Sequence, residues 1–164
     1  MCNSTIQSGH AALRKGRYSR SQQIYFISVS CVGREPLFQN MVSARAGSRA
    51  LMRLVIQGHA DILSWVLMPN HMHLLLRLDN VQELPSIVGR INSCVARAAN
   101  RALGRVGKFW QGAYHDHALR FDEPPINFIQ YIVNNPIKAG LVQNPRDYPY
   151  WNITNWDDVS NPLL

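Results

Sequence analysis

Apolar and β-branched residues are concentrated in three short stretches of the chain, a pattern typical of buried β-strands. These stretches are Gln22–Val32, Ile62–Met68 and His71–Leu78. Only Pro69 and Asn70 separate the second stretch from the third, which predicts a tight turn between two strands. Two longer stretches, about 40–59 and 85–103, space their apolar residues three and four apart and predict helices, the second ending at Gly104.

The last third of the chain predicts a further extended segment, a third helix and an aromatic tail. Residues 107–121 are rich in aromatic residues and predict a strand or an extended loop. The third helix begins after Asp122, a candidate N-cap, carries Pro124 in its first turn and ends at Pro136. The tail, residues 148–156, is expected to pack against the rest of the protein.

The element order is therefore β-α-β-β-α-β, followed by one more helix. This order predicts an α+β, ferredoxin-like split βαβ fold with a central antiparallel sheet and helices on one face. The other face of the sheet is then free for a site, to which the additional C-terminal helix contributes. With 164 residues, 46% of them hydrophobic, the chain is long enough to bury a core, and we assign a single domain to residues 21–164.

The charge of the chain predicts an anionic partner. There are 17 Lys and Arg residues against 10 Asp and Glu, which gives a net charge of +7. Residues 1–20 are polar and predict a flexible basic arm, whose cations are Arg14, Lys15, Arg17 and Arg20. The three cysteines are scattered and form no CxxC motif, which is typical of a reducing compartment. No apolar run approaches the roughly 20 residues of a membrane span, so we expect a cytoplasmic protein without a membrane partner.

Four polar side chains on a predicted strand and a predicted helix are candidates for chemistry. His71 and His73 lie two positions apart on a strand and therefore point to the same face. Tyr131 and Asn135 lie four positions apart on a helix and also share a face, with Asn127 one turn earlier. By itself, a tyrosine beside two asparagines is more often the plain polar edge of an amphipathic helix than a site.

Together these residues supply two imidazoles, an amide oxygen and a phenol. Three neutral ligands would leave about three positions of an octahedral Mg²⁺ or Mn²⁺ ion open for phosphate oxygens and water. A phenol one turn from the amide ligand would then be close enough to attack phosphorus. The residues therefore predict metal-assisted phosphoryl transfer onto tyrosine.

Four blocks of the sequence, from about Tyr25 to Trp156, resemble the REP-associated tyrosine transposases, which are domesticated single-tyrosine HUH transposases. The blocks are WVLMPNHMHLLL, FWQGAYHDHALR, YIVNNPIKAGLV and DYPYW. The resemblance implies that His71 and His73 are the HUH metal ligands, with Met72 between them. It further implies that Tyr131 is the nucleophile and Asn135 the third ligand.

The resemblance also implies an activity and a partner. The protein would be an endonuclease and strand transferase that nicks single-stranded DNA near an imperfect hairpin and holds the 5′ phosphate on tyrosine. We expect association with the nucleoid and a monomer, with a dimer as the alternative.

The candidate DNA contacts beyond the arm are Arg90, Arg97, Arg101, Trp110 and Arg120. Arg90, Arg97 and Arg101, together with Arg105, form a basic stripe at helical spacing. The stripe either contacts phosphates or is simply a solvated helix face. Trp110, with its aromatic neighbours, either stacks on unpaired bases or belongs to the core. His115 and His117 repeat the His-x-His spacing and, like Asn127, either line the site or are structural.

Two other functions compete with the enzyme. A domesticated copy could retain binding and lose cutting, leaving a catalytically silent single-stranded nucleic-acid-binding protein. A zinc hydrolase that uses His71, His73 and one of the two later histidines is less well supported, because it leaves Tyr131 and Asn135 without a role.

Overall fold

A computed structural model describes residues 22–79 and 82–154 of the chain. Five antiparallel strands form one sheet in the order β4-β1-β3-β2-β5. The strands are β1 Ile24–Ser30, β2 Asp61–Met68, β3 His71–Arg77, β4 His115–Ala118 and β5 Trp151–Ile153. The helices are α1 Met41–Ile56, α2 Leu84–Leu103 and α3 Pro125–Lys138. The α+β, ferredoxin-like prediction is confirmed.

Helices α1 and α2 cover one face of the sheet and enclose the larger hydrophobic core. Their buried residues, among them Leu51, Leu54, Ile91 and Val95, pack against Ile27, Leu67, Leu74 and Leu76 of the strands. Gly47 weakens the helix prediction for α1, and the packing explains its presence. A Cβ at this position would come within 3.0 Å of Leu67 and 3.1 Å of Phe38, so α1 approaches the sheet closely here.

Helix α3 lies on the opposite face of the sheet, over a smaller hydrophobic cluster. The cluster contains Leu63, Val66, Met68, Leu75, Leu119, Ile129 and Ile132. Side chains alternate along a strand, so the odd-numbered residues of β3, including His71 and His73, point to this second face. The fold therefore places the histidine pair and α3 on the same side of the sheet.

The ends of α3 differ from the prediction. Pro124, not Asp122, occupies the N-cap, and Asp122 is exposed in the preceding turn. The helix does not end at Pro136 but continues to Lys138. A proline removes only one helical hydrogen bond, and Pro136 is buried, so its packing offsets part of that loss.

The described part of the aromatic tail packs against the rest of the protein, as predicted, and it does so partly as a strand. Strand β5 pairs with β2 and completes the sheet. Tyr150 is buried in the larger core, and the Tyr148 hydroxyl donates a hydrogen bond to the Leu67 carbonyl at 2.6 Å. Within residues 22–79 and 82–154, no helix is long and apolar enough to cross a membrane.

Candidate active site

His71 and His73 lie side by side on the face of β3 that α3 covers. Their ring centres are 4.7 Å apart, and across the sheet they pair with Ser30 and Ser28 of β1. The Nδ1 of His71 lies 2.7 Å from Oδ1 of Asn70, to which it donates when it carries the proton. That hydrogen bond fixes the His71 ring and leaves its Nε2 as the electron-pair donor.

Burial keeps both imidazoles neutral near pH 7. Burial is the main cause that lowers the pKa of His73 to about 3, and the charge of His71 is a smaller one. Burial, followed by the charge of Arg34, lowers the pKa of His71 below its ordinary value. Only a neutral imidazole offers a lone pair to a metal ion, so the environment favours the form that binds metal.

The His73 ring also carries a polar atom without a partner. The side chain is 6% exposed, and its Nδ1 is buried with no hydrogen-bond acceptor or donor among the residues described. An unpaired buried polar atom costs about 1–3 kcal/mol, and coordination of the ring to a metal is one way to offset that cost. The pair therefore fits a metal ion as a ligand set.

No third strong ligand stands beside the pair. In the described part of the chain, no group of three His, Cys, Asp or Glu side chains is arranged to hold a metal ion. A third protein ligand would therefore have to be of another type, such as an amide oxygen. This arrangement gives no support to a zinc site built from three histidines.

Tyr131 lies directly beside His73. The two rings meet edge to face with 5.6 Å between centres, and Phe26 of β1 contacts both, stacked on His73 at 5.1 Å and edge-on to Tyr131 at 5.7 Å. Tyr131 is 40% exposed, whereas Asn135, one turn later on α3, is 8% exposed. The phenol is thus held by two rings and still reaches solvent, whereas Asn135 is buried.

Lys138, the last residue of α3, lies over the ring of Tyr131. Its Nζ is 4.5 Å from the ring centre. Sequence reasoning missed this residue, although its spacing of seven from Tyr131 places the two on one face of a helix, two turns apart. Phe26 was missed as well, and alternation along β1 is the only signal that would have placed it on the site face.

The two histidines of β4 have different environments. Nε2 of His117 lies 2.8 Å from Oε2 of Glu123, and its ring stacks on Phe128 at 5.8 Å. The same carboxylate accepts the Arg120 N–H at 2.8 Å, so His117 ties the β4–α3 loop to the sheet. His115 is exposed and pairs with Ser28, which in turn pairs with His73. It therefore lies on the site face, two strands away.

Trp110 is part of the core, the second of the two interpretations that the sequence left open. The side chain is 7% exposed and packs against Phe38 and Phe109. Its indole N–H donates to the Asn92 carbonyl at 2.9 Å. The ring therefore has neither a free face nor a free donor for a nucleotide.

The exposed arginines fall into separate regions. Arg97 and Arg101 line a groove of about 360 Å³ between α1 and α2, together with Arg53, Gln57 and His59 of the α1 side. Arg90 is exposed on α2 but does not line this groove, and Arg105 lies beyond the helix end with its guanidinium 5.9 Å from the Phe109 ring.

Near the site face, Arg120 and Asn127 are exposed, and Phe121 projects fully into solvent. Phe121 was not among the predicted site residues, because an aromatic residue before a helix is by itself no signal of exposure. Arg14, Lys15, Arg17 and Arg20 lie outside the described residues.

Comparison with known sequences gives one family. Residues 19–135 match the family model described as "Transposase IS200 like". A Haemophilus influenzae protein is 30% identical over 100 residues, which are 51% of this chain and 53% of the relative. The REP-associated tyrosine transposase of Escherichia coli is 29% identical over 90 residues, 55% of this chain and 52% of that protein. The chain thus spans about half the length of these curated relatives.

A solved structure of a REP-associated tyrosine transposase bound to a REP hairpin has a similar fold. Its TM-score is 0.63 at 24% sequence identity, and the match covers 90% of this chain and 86% of that one. At this identity the likeness concerns the fold.

Proposed function

This chain belongs to the IS200-like transposase family, and we propose that it is a metal-dependent endonuclease and strand transferase for single-stranded DNA that acts through Tyr131. The observation that carries the proposal is the position of Tyr131 beside His73. A solvent-accessible phenol lies 5.6 Å, ring to ring, from a buried neutral imidazole that has an unpaired ring nitrogen. A nucleophile next to a metal-ligand pair is the arrangement that phosphoryl transfer requires.

The reaction we infer is an exchange of esters at phosphorus. The Tyr131 oxygen forms a bond to the scissile phosphorus, and the bond from phosphorus to the 3′ oxygen breaks. The phenol proton leaves, and the departing strand takes up a proton to end in a 3′ hydroxyl. The 5′ phosphate is then held as a phosphotyrosine diester, and the reverse exchange with another 3′ hydroxyl rejoins strands without a nucleotide cofactor.

The metal would be Mg²⁺ or Mn²⁺, held by His71, His73 and Asn135. Bound there, it would polarise the phosphate oxygens and stabilise the charge that develops on them. The protein's own part is positional. Phe26 and His73 hold the phenol ring by edge contacts, and the Asn70 carboxamide orients the His71 imidazole.

The basic surfaces support a DNA partner. A single strand would reach Tyr131 along the exposed edge formed by His115, Arg120 and Phe121. The groove of Arg53, Arg97 and Arg101 lies on the helical face, across the sheet from Tyr131, and would hold phosphates of a hairpin stem. Arg90 and the arm of residues 1–20 remain predicted DNA contacts. The prediction that the protein acts as a self-contained monomer also remains.

The test is covalent capture of DNA. The protein is incubated with an oligonucleotide that carries a hairpin and is labelled on the 3′ side of the nick, in the presence of Mg²⁺, Mn²⁺ or EDTA. On a denaturing gel we expect a labelled protein adduct that requires the metal. Retarded hairpin on a native gel without any nick or adduct would instead indicate a silent DNA-binding protein.

A further inference from the structure

Lys138 lies at the site face beside Tyr131, and the reaction proposed above gives it no role. Its ammonium lies over the Tyr131 ring, 4.5 Å from the centre, while Phe26 and His73 contact the same ring with edge geometry. The phenol is therefore bounded by two aromatic rings and one cation. Arg34 is a further cation close enough to act on His71.

Fold stability explains little of this placement. A cation at the C-terminus of a helix is stabilised by the helix dipole, and an exposed cation–π contact contributes about 0.5–1 kcal/mol. Both effects are small, and any long basic side chain at the last turn gains the first of them. Among residues 22–79 and 82–154, no carboxylate forms an ion pair with Lys138.

We propose that Lys138 is a positioning residue for Tyr131. Its side chain holds the phenol in place, and its positive charge stabilises the negative charge that develops when the Tyr131 oxygen attacks phosphorus. This inference rests on the proposed function. Negative charge accumulates on the Tyr131 oxygen as its proton leaves, and it passes to the phosphate oxygens and the departing 3′ oxygen as the new oxygen–phosphorus bond forms. A cation already fixed beside the ring stabilises that charge without reorganisation, and it transfers no proton.

The same cation acts in both directions of the exchange. When a 3′ hydroxyl attacks the phosphotyrosine, the Tyr131 oxygen is the leaving group and regains negative charge. A neutral side chain at position 138 would therefore slow strand rejoining as well as nicking. A residue that only bound the DNA backbone would affect affinity instead of the rate at saturation.

The experiment compares Lys138→Met, Lys138→Arg and Arg49→Met in the full chain. Methionine keeps the apolar length of lysine without its charge, arginine keeps the charge, and Arg49 is exposed on α1, across the sheet. Single-turnover nicking is measured at saturating protein and Mn²⁺, and DNA affinity is measured separately. We expect Lys138→Met to nick on the order of 100-fold more slowly, with an unchanged Kd, and Lys138→Arg to recover most of the rate.

Each outcome decides between alternatives. Nicking by Lys138→Met at the wild-type rate overturns the inference and leaves the proposed function intact. A raised Kd with a normal rate at saturation also overturns it, because Lys138 is then only a phosphate contact. Equal loss in Lys138→Arg and Lys138→Met shows that charge is not what position 138 supplies, which again overturns it. Absence of nicking by the wild type overturns the proposed function itself.

Discussion

The imidazole of His73 and the phenol ring of Tyr131 meet edge to face, 5.6 Å between centres, although one belongs to a central strand and the other to the last helix. Helix α3 crosses the face of the sheet to which the odd-numbered residues of β3 point, and this crossing creates the contact. The distance between Tyr131 and His73 therefore depends on how α3 docks on the sheet. The smaller hydrophobic cluster determines that docking.

Substitution of Tyr131 by Phe is expected to abolish nicking and the covalent adduct while leaving folding and DNA affinity intact. The ring keeps its contacts with Phe26 and His73, and only the attacking oxygen is lost. The measurement is the denaturing adduct gel, together with thermal unfolding and a binding titration. An adduct that persists in this variant would assign the nucleophile to another residue.

Alanine at both His71 and His73 is expected to abolish nicking and to leave much of the DNA binding, because affinity depends mainly on phosphate contacts. Calorimetric titration with Mn²⁺ should show loss of the metal site. Arg49→Ala serves as the control, since Arg49 is exposed on α1, on the other face of the sheet and outside the groove. Wild-type nicking by the double variant would show that the two histidines hold no catalytic metal.

Stability without metal is expected to fall with acid because of His73. Folding lowers the pKa of His73 from 6.5 to about 3, so below pH 6.5 the unfolded chain takes up a proton that the folded chain does not. The free energy of unfolding should then decrease between pH 6.5 and 3, by up to about 1.4 kcal/mol per pH unit for this group. Urea unfolding in EDTA across this range measures it. His73→Asn should make the dependence shallower, with His71 supplying part of what remains, and His59→Asn should not.

Glutamine at Arg53, Arg97 and Arg101 is expected to weaken hairpin binding and its salt dependence. Each duplex phosphate contact that is lost lowers the slope of log affinity against log salt by about 0.9. The rate of nicking at saturating protein should stay unchanged, because the groove lies across the sheet from Tyr131. Titrations at several salt concentrations test this, and an unchanged slope would place the stem elsewhere, with the arm of residues 1–20 as the next candidate.

Phenylalanine at Trp110 is expected to destabilise the fold without changing DNA affinity. The Asn92 carbonyl loses its donor, at a cost of about 1–3 kcal/mol, while the aromatic packing against Phe38 largely remains. Chemical unfolding and a binding titration with single-stranded DNA are the two readouts. A loss of affinity with unchanged stability would return Trp110 to the DNA interface.

Local patterns in the sequence determined the elements and the facing of residues within each element. The period of two along β3 puts His71 and His73 on one face, and the four-residue spacing along α3 groups Tyr131 with Asn135. These rules operate within one strand or one helix, so they survive small errors at element ends. The prediction that α3 ends at Pro136 is such an error, because the helix continues to Lys138. The relation between Tyr131 and Asn135 is the same in both cases.

Only the tertiary structure decided which of these faces meet. The contact of Tyr131 with His73, the burial of Trp110 and the groove that Arg53 completes all join elements far apart in the sequence. No local period encodes such contacts, because they depend on which surfaces exclude water together when the chain folds. A stripe of arginines on α2 therefore becomes a groove only when α1 packs beside it, and an aromatic residue becomes core or surface according to what covers it.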